Sequence, residues 1–124
     1  MFYVFIGWFN ISLPIKIVFE NVFKTLKERG KVVLLRHSDN FKLFLNRVVY
    51  VYYVSQGKII DKVKCRIVDV VNIGDLSINE VLENILPKYL EFSGFSNCND
   101  WWVSTISHYR RKPKYLVILE KLKR

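Results

Sequence analysis

The sequence predicts an α+β fold, a small and mostly antiparallel β-barrel with helices packed outside. Two observations point there. Residues 47–54, RVVYVYYV, and residues 58–71 are long β-branched or aromatic runs joined by Gln56-Gly57, the composition and turn of a β-hairpin. Residues 29–36, RGKVVLLR, place a glycine stop between a helical pattern and a short apolar strand. Closure into a barrel then removes the exposed edges that so many short strands would leave.

With 124 residues, the chain is expected to form one domain, residues 1–124, large enough for a real core. Half of it is apolar (51%) and a quarter charged (25%), the balance of a folded soluble domain, not a disordered tail. No apolar run is long enough to span a bilayer. The opening MFYVFIGWF has neither a basic leader nor a small-residue cleavage site, so it is read as a buried first strand. A cytoplasmic location is expected, with no membrane partner.

Along the chain, Ile15, Val18, Phe19, Val22, Phe23 and Leu26 recur at helical spacing over residues 14–29. Pro14 suits the first helical position, Lys27 and Arg29 complement the C-terminal dipole, and Gly30 stops the helix. A strand from Lys31 to His37 follows, and SDN turns the chain. In the second hairpin strand Val63, Cys65 and Ile67 share one face, and Lys62, Lys64 and Arg66 the other. Ser77 and Glu80 form a capping box for a helix with Ile78, Val81, Leu82 and Ile85 inward, which Pro87 breaks or kinks. A further helix runs from about Asn97 to His108 with Trp102, Ile106 and Tyr109 inward. Of the adjacent Trp101 and Trp102, at least one belongs in the core. The last strand, Lys114 to Lys121, alternates Tyr115, Val117 and Leu119 against the rest.

The net charge of +9 favours a polyanionic partner, with nucleic acid first and an acidic membrane surface second. Three basic groups are candidates for it. Lys31 and Arg36 flank a wholly apolar strand, and alternation sets them on opposite faces unless Gly30 keeps Lys31 on the turn. Lys62, Lys64 and Arg66 mark an electropositive sheet surface. Tyr109, Arg110 and Arg111 set an aromatic ring beside guanidiniums, a combination that single-stranded nucleic acid uses. Each group also has a plain reading as solvated surface charge.

Catalytic motifs are sparse: no GxSxG, P-loop, GxGxxG or HExxH occurs. Cys65 and Cys98 stand far apart without metal-ligand spacing, so neither a structural zinc nor a disulfide framework is expected, and no cofactor is implied.

A helix ending in Gly30-Lys31, a strand ending in Arg36, a hairpin, Asp75-Leu76-Ser77, Gly94-Phe95-Ser96, a Trp-bearing helix and a final PKYLVILEKL strand follow one another. In that order, from about Ile15 to Leu122, they resemble the ASCH domains of the PUA-like superfamily. Lys31 and Arg36 match the lysine and arginine of the family signature GxKxxExR. Its glycine falls on Arg29, with Gly30 displaced by one, and its glutamate, a threonine in some members, falls on Leu34. Ser93 stands where the family's Glu-Gly-Phe-Ser segment has its acid, with Glu91 two residues away, and Trp101 or Trp102 matches the helix tryptophan.

The resemblance implies RNA binding in a cleft beside a PUA-like barrel. It also implies, as alternatives, a nuclease or a small amidohydrolase acting on modified cytidines, with Lys31 as nucleophile or base and Glu91 as replacement acid. Because Leu34 and Ser93 supply no proton-handling carboxylate, binding is expected over catalysis. A protein-interaction module, with the first strand and the aromatic hairpin as a homodimer face, is the remaining alternative.

Overall fold

The computed structural model describes residues 13–123, so the strand expected within Met1–Phe9 lies outside the described residues. The architecture is α+β, a five-stranded mixed sheet curled into a half-barrel, with helical elements packed against it. Its strands are β1 (Ile15–Ile17), β2 (Lys31–Arg36), β3 (Val48–Ser55), β4 (Lys58–Asn72) and β5 (Tyr115–Lys121), in the spatial order β1-β3-β4-β5-β2. The β1–β3 pair is parallel and the others are antiparallel. No helix among the described residues is long and apolar enough to cross a membrane.

The first departure from expectation is β1, where the apolar spacing had predicted a helix from Pro14. Ile15 and Ile17 are buried and Lys16 is exposed, and the three pair with Val51, Tyr52 and Tyr53. Two β-branched residues flanking a lysine fit a pleated surface better than a helix face. The helix α1 starts only at Glu20 and runs to Arg29, burying Val22, Phe23 and Leu26. Gly30 ends it as expected: at φ 77° it is left-handed, and its N–H bonds the Leu26 carbonyl at 2.9 Å.

The hairpin turn Gln56-Gly57 has two positive φ values, 52° and 78°, matching the right-handed strand twist. Two bulges interrupt β4. One falls opposite Tyr53/Val54, leaving Ile60 without a partner on β3, and the other lies between Ile67 and Asp69.

Two apolar cores result. The inner one takes residues from all five strands, among them Ile17, Leu34, Val51, Ile67 and Leu119, and α1 closes it with Val22, Phe23 and Leu26. The outer one covers the opposite face of β2 and β5, where Val33, Leu35, Leu116 and Ile118 meet Val81, Leu86, Trp101 and Trp102. Tyr115 through Leu119 are therefore all buried, in place of the alternation expected for the last strand. Cys65 lies in the inner core, where burial pushes its thiol up to about 12.

After a one-turn helix α2 (Asn40–Leu43), the outer cover is built from α3 (Ile78–Glu80), a wide turn at Val81–Ile85, tight turns at Leu86–Lys88 and Leu90–Phe92, and α4 (Cys98–Tyr109). The Ser77 hydroxyl accepts from the Glu80 N–H at 3.1 Å, one of the two bonds of a capping box, but the regular helix lasts only three residues. Pro87 has no N–H to return to the preceding turn, and the ladder loosens before it. Ile78 consequently stays exposed. In α4 the Asn97 side chain caps the Asp100 N–H at 2.8 Å. Both tryptophans are buried, Trp101 at 2% and Trp102 at 5% exposure, so neither offers a stacking platform.

The two covers meet at Gly94. Its φ is 85°, and a Cβ there would stand 2.8 Å from the Asn21 carbonyl oxygen and the Val22 Cα. Asn21 Nδ2 also donates to the Gly94 carbonyl, fixing α1 against the segment before α4. We predict that Gly94→Ala lowers stability by about 2–4 kcal/mol, read from urea midpoints. A variant as stable as the parent would contradict this close backbone approach.

Candidate nucleic-acid interface

The outer cover spans only β2, β5 and the far part of β4, leaving the same sheet face open over β1, β3 and the first part of β4. Cross-strand register sorts the open face into rows. Lys16, Tyr52 and Lys62 form one, Tyr50 and Lys64 the next, and Val48, Arg66, Glu120 and Lys31 a third that reaches across to β2. The expected alternation of Lys62, Lys64 and Arg66 against Val63, Cys65 and Ile67 is present, with the cations exposed.

Tyrosines organise these cations. The Lys62 and Lys64 ammoniums lie 5.0 and 5.6 Å from the centroid of the Tyr50 ring, within cation–π range. The Tyr52 ring is 6.3 Å from that of Tyr50, and no cation caps it among the described residues. Arg66 Nη1 donates to the Asn46 carbonyl at 2.8 Å, pinning the guanidinium at the sheet surface.

None of Lys16, Lys31, Lys62, Lys64 and Arg66 forms an ion pair among the described residues. The carboxylate of Asp61, next to Lys62 in sequence, turns instead to Lys27 at 2.7 Å. That bond, with the Lys62 N–H, holds its carboxyl below the usual range. Glu120 is the one acid in the three rows.

Lys31 and Arg36 part company. Lys31 joins the outer face beside a recess of about 650 Å³ whose lining includes Glu28, Arg29, Phe92, Glu120, Lys121 and Lys123, its ammonium 4.9 Å above the Phe92 ring. No carboxylate comes within hydrogen-bond reach of it among the described residues. Glu91 is engaged elsewhere, its carboxylate 2.7 Å from Arg29 Nη2 and its carbonyl 3.1 Å from Nη1. Leu34 is buried in the inner core. Ser93 is fully buried, its hydroxyl donating to the Leu90 carbonyl and accepting from the Phe95 N–H.

Arg36 lies at the other end of β2 and on the opposite face. Its Nη1 donates to the Leu35 carbonyl at 2.9 Å and its Nη2 to Lys16 on β1 at 3.0 Å, with the guanidinium 4.7 Å over the Tyr109 ring. Burial pulls its pKa down and Tyr109 partly offsets this. Lys31 and Arg36 therefore do not share a cleft. Tyr109 is half-buried and engaged with Arg36, while Arg110 and Arg111 are exposed just beyond α4, near the Arg36 end of β2. Arg110 adopts φ 61° to end that helix, its N–H bonding the Ile106 carbonyl at 2.8 Å.

Lys16, Tyr50 and Tyr52 carry the open face together with the predicted cations, and sequence reasoning missed them. The available signal was their phase, since Tyr50 and Tyr52 alternate with the buried Val49 and Val51. No family model, curated protein or solved structure matches the chain.

The paired carbonyls at Arg36 need a two-pronged donor. We predict that Arg36→Lys, which keeps the charge but loses the fork, destabilises the fold by about 1–3 kcal/mol in urea unfolding. Unchanged stability would show that the bridge between β2 and β1 contributes nothing.

Proposed function

We propose that this protein binds single-stranded RNA across the open outer face of its half-barrel, and that the half-barrel is PUA-like, of the ASCH type. The observation that carries the reading is a set of five cations without carboxylate partners, interleaved with two tyrosine rings on one sheet face. Ammoniums and a guanidinium neutralise phosphates, while an uncapped ring accepts an unstacked base, which a duplex keeps paired. Tyr52 is the ring open to a base, and Tyr50 holds Lys62 and Lys64 up towards the phosphates.

Holding is favoured over cleaving by the surroundings of Lys31. A lysine nucleophile needs a nearby group to manage its proton. Glu91 is bound by Arg29, the Ser93 hydroxyl is buried in its own turn, and Leu34 is in the core.

Fluorescence anisotropy with a labelled oligouridylate, titrated over a range of salt, tests the reading. The triple variant Lys62→Ala, Lys64→Ala, Arg66→Ala is expected to lose at least about tenfold in affinity. The slope of log affinity against log salt should also fall by about 2. Absence of binding by the parent protein at low salt, or equal binding by the variant, would refute it.

A further inference from the structure

At the opposite end of β2 and β5 from Lys31 lies a second concave site that the sheet face does not use. His37, Ser38 and Asp39, which follow β2, and Arg111, Lys112 and Lys114, which precede β5, line a recess of about 530 Å³. That volume is large enough for a small polar ligand and its attached group.

The two loops are held in place before any ligand arrives. The Lys114 N–H bonds the Arg36 carbonyl at 2.9 Å and the Lys114 carbonyl accepts from the Ile73 N–H at 2.8 Å. The Tyr115 hydroxyl donates to Asp39 Oδ1 at 2.5 Å, and Pro113 in the second loop is buried.

The charge in this recess is one-sided. Its one carboxylate, Asp39, is already engaged by Tyr115 and by Lys114 at 3.6 Å, and those partners hold its carboxyl below the usual range. Arg111 and Lys112 form no ion pair among the described residues. Ser38 Oγ accepts from the Asn40 N–H at 3.2 Å, which leaves its own proton to donate. A guanidinium fork, an ammonium, a hydroxyl and an imidazole around one recess make the complement of a compact, doubly charged oxyanion.

We propose that this recess is a binding site for a phosphate monoester, with Arg111 and Lys112 as its charge-bearing contacts and Ser38 as a neutral donor. The phosphate belongs either to the end of a nucleic-acid strand or to a small phosphorylated molecule. The site stands apart from the sheet-face reading, since it shares no residue with the three rows.

Amide NMR of the full chain, titrated with inorganic phosphate, uridine and uridine 5′-monophosphate, tests it. Phosphate and the monophosphate are expected to shift the signals of Ser38, Asp39, Arg111 and Lys112, and uridine to leave them in place. The double variant Arg111→Ala, Lys112→Ala should abolish those shifts. Ser38→Ala, which keeps every charge, should weaken them. The sheet-face variant Lys62→Ala, Lys64→Ala, Arg66→Ala should leave them intact, which separates this site from the RNA reading.

A 5′-phosphorylated oligouridylate binding about tenfold tighter than its 5′-hydroxyl counterpart, with the gain lost in the double variant, would assign the phosphate to a strand end. Equal binding of the two oligonucleotides with the monophosphate shifts retained would assign it to a small molecule. Absence of shifts with both phosphate probes, or shifts undiminished in the double variant, would overturn the proposal whatever the sheet face does.

Discussion

Strands β1 and β2 are the two edges of the curled sheet, and the Arg36 guanidinium is the group that ties them together. It leaves the end of β2, bonds its own strand through the Leu35 carbonyl, and reaches the Lys16 carbonyl on β1. Removing a guanidinium from water is unfavourable unless hydrogen bonds replace the lost hydration, and here two carbonyls and the Tyr109 ring do so. With the edges linked and α1 packed behind them, the inner core can draw on all five strands. Arg36 thereby acquires a structural task, while Lys31, at the other end of β2, faces outwards.

Closing the inner side sets what the outer side must do. Strands β2 and β5 are apolar on both faces, so the turns from Ile78 to Phe92 and helix α4 have to cover them. The cover follows the apolar surface and stops where it stops. On β4 the boundary falls at the bulge between Ile67 and Asp69. Beyond it Val68 and Val71 pack under the cover, and before it the outward positions are Lys62, Lys64 and Arg66. Three cations in alternate positions cannot be roofed by apolar side chains without large desolvation, so the face stays open.

Much of this was legible because it rests on local chemistry. Gly30 and the Gln56-Gly57 pair need positive φ, and Ser77 and Asn97 carry the capping oxygens, so the helix stop, the hairpin and two helix starts could be read directly. What could not be read depends on partners distant in sequence. Three residues, Ile15 to Ile17, are too few to separate a strand from the first turn of the following helix, and only pairing with β3 decides it. The row structure of the open face was hidden for a related reason. Counting back from the tight turn would set Tyr50 against Val63, on the wrong face, but the bulge at Ile60 moves the register by one and brings Tyr50 opposite Lys64. The separation of Lys31 from Arg36, by contrast, followed from simple alternation, and the regular strand keeps it.

The excess of positive charge is not spread evenly over the described residues. Among the described residues the four ion pairs are Lys24–Glu28, Lys27–Asp61, Arg29–Glu91 and Lys114–Asp39. Three of them involve α1, and the fourth closes the far end of the barrel. Asp61 could have neutralised the start of the lysine stripe, but it sits on the inward side of β4, beyond the bulge, and turns to α1. Acids are thus drawn to the helix side, while the open sheet face keeps Lys16, Lys62, Lys64 and Arg66 unneutralised, joined to Lys31 through the register with Glu120. Cations set this close repel one another in proportion to how poorly salt screens them, and a bound phosphodiester chain relieves that repulsion. The free protein therefore carries a concentrated arrangement of positive charge on this face, two of whose ammoniums the Tyr50 ring holds in place.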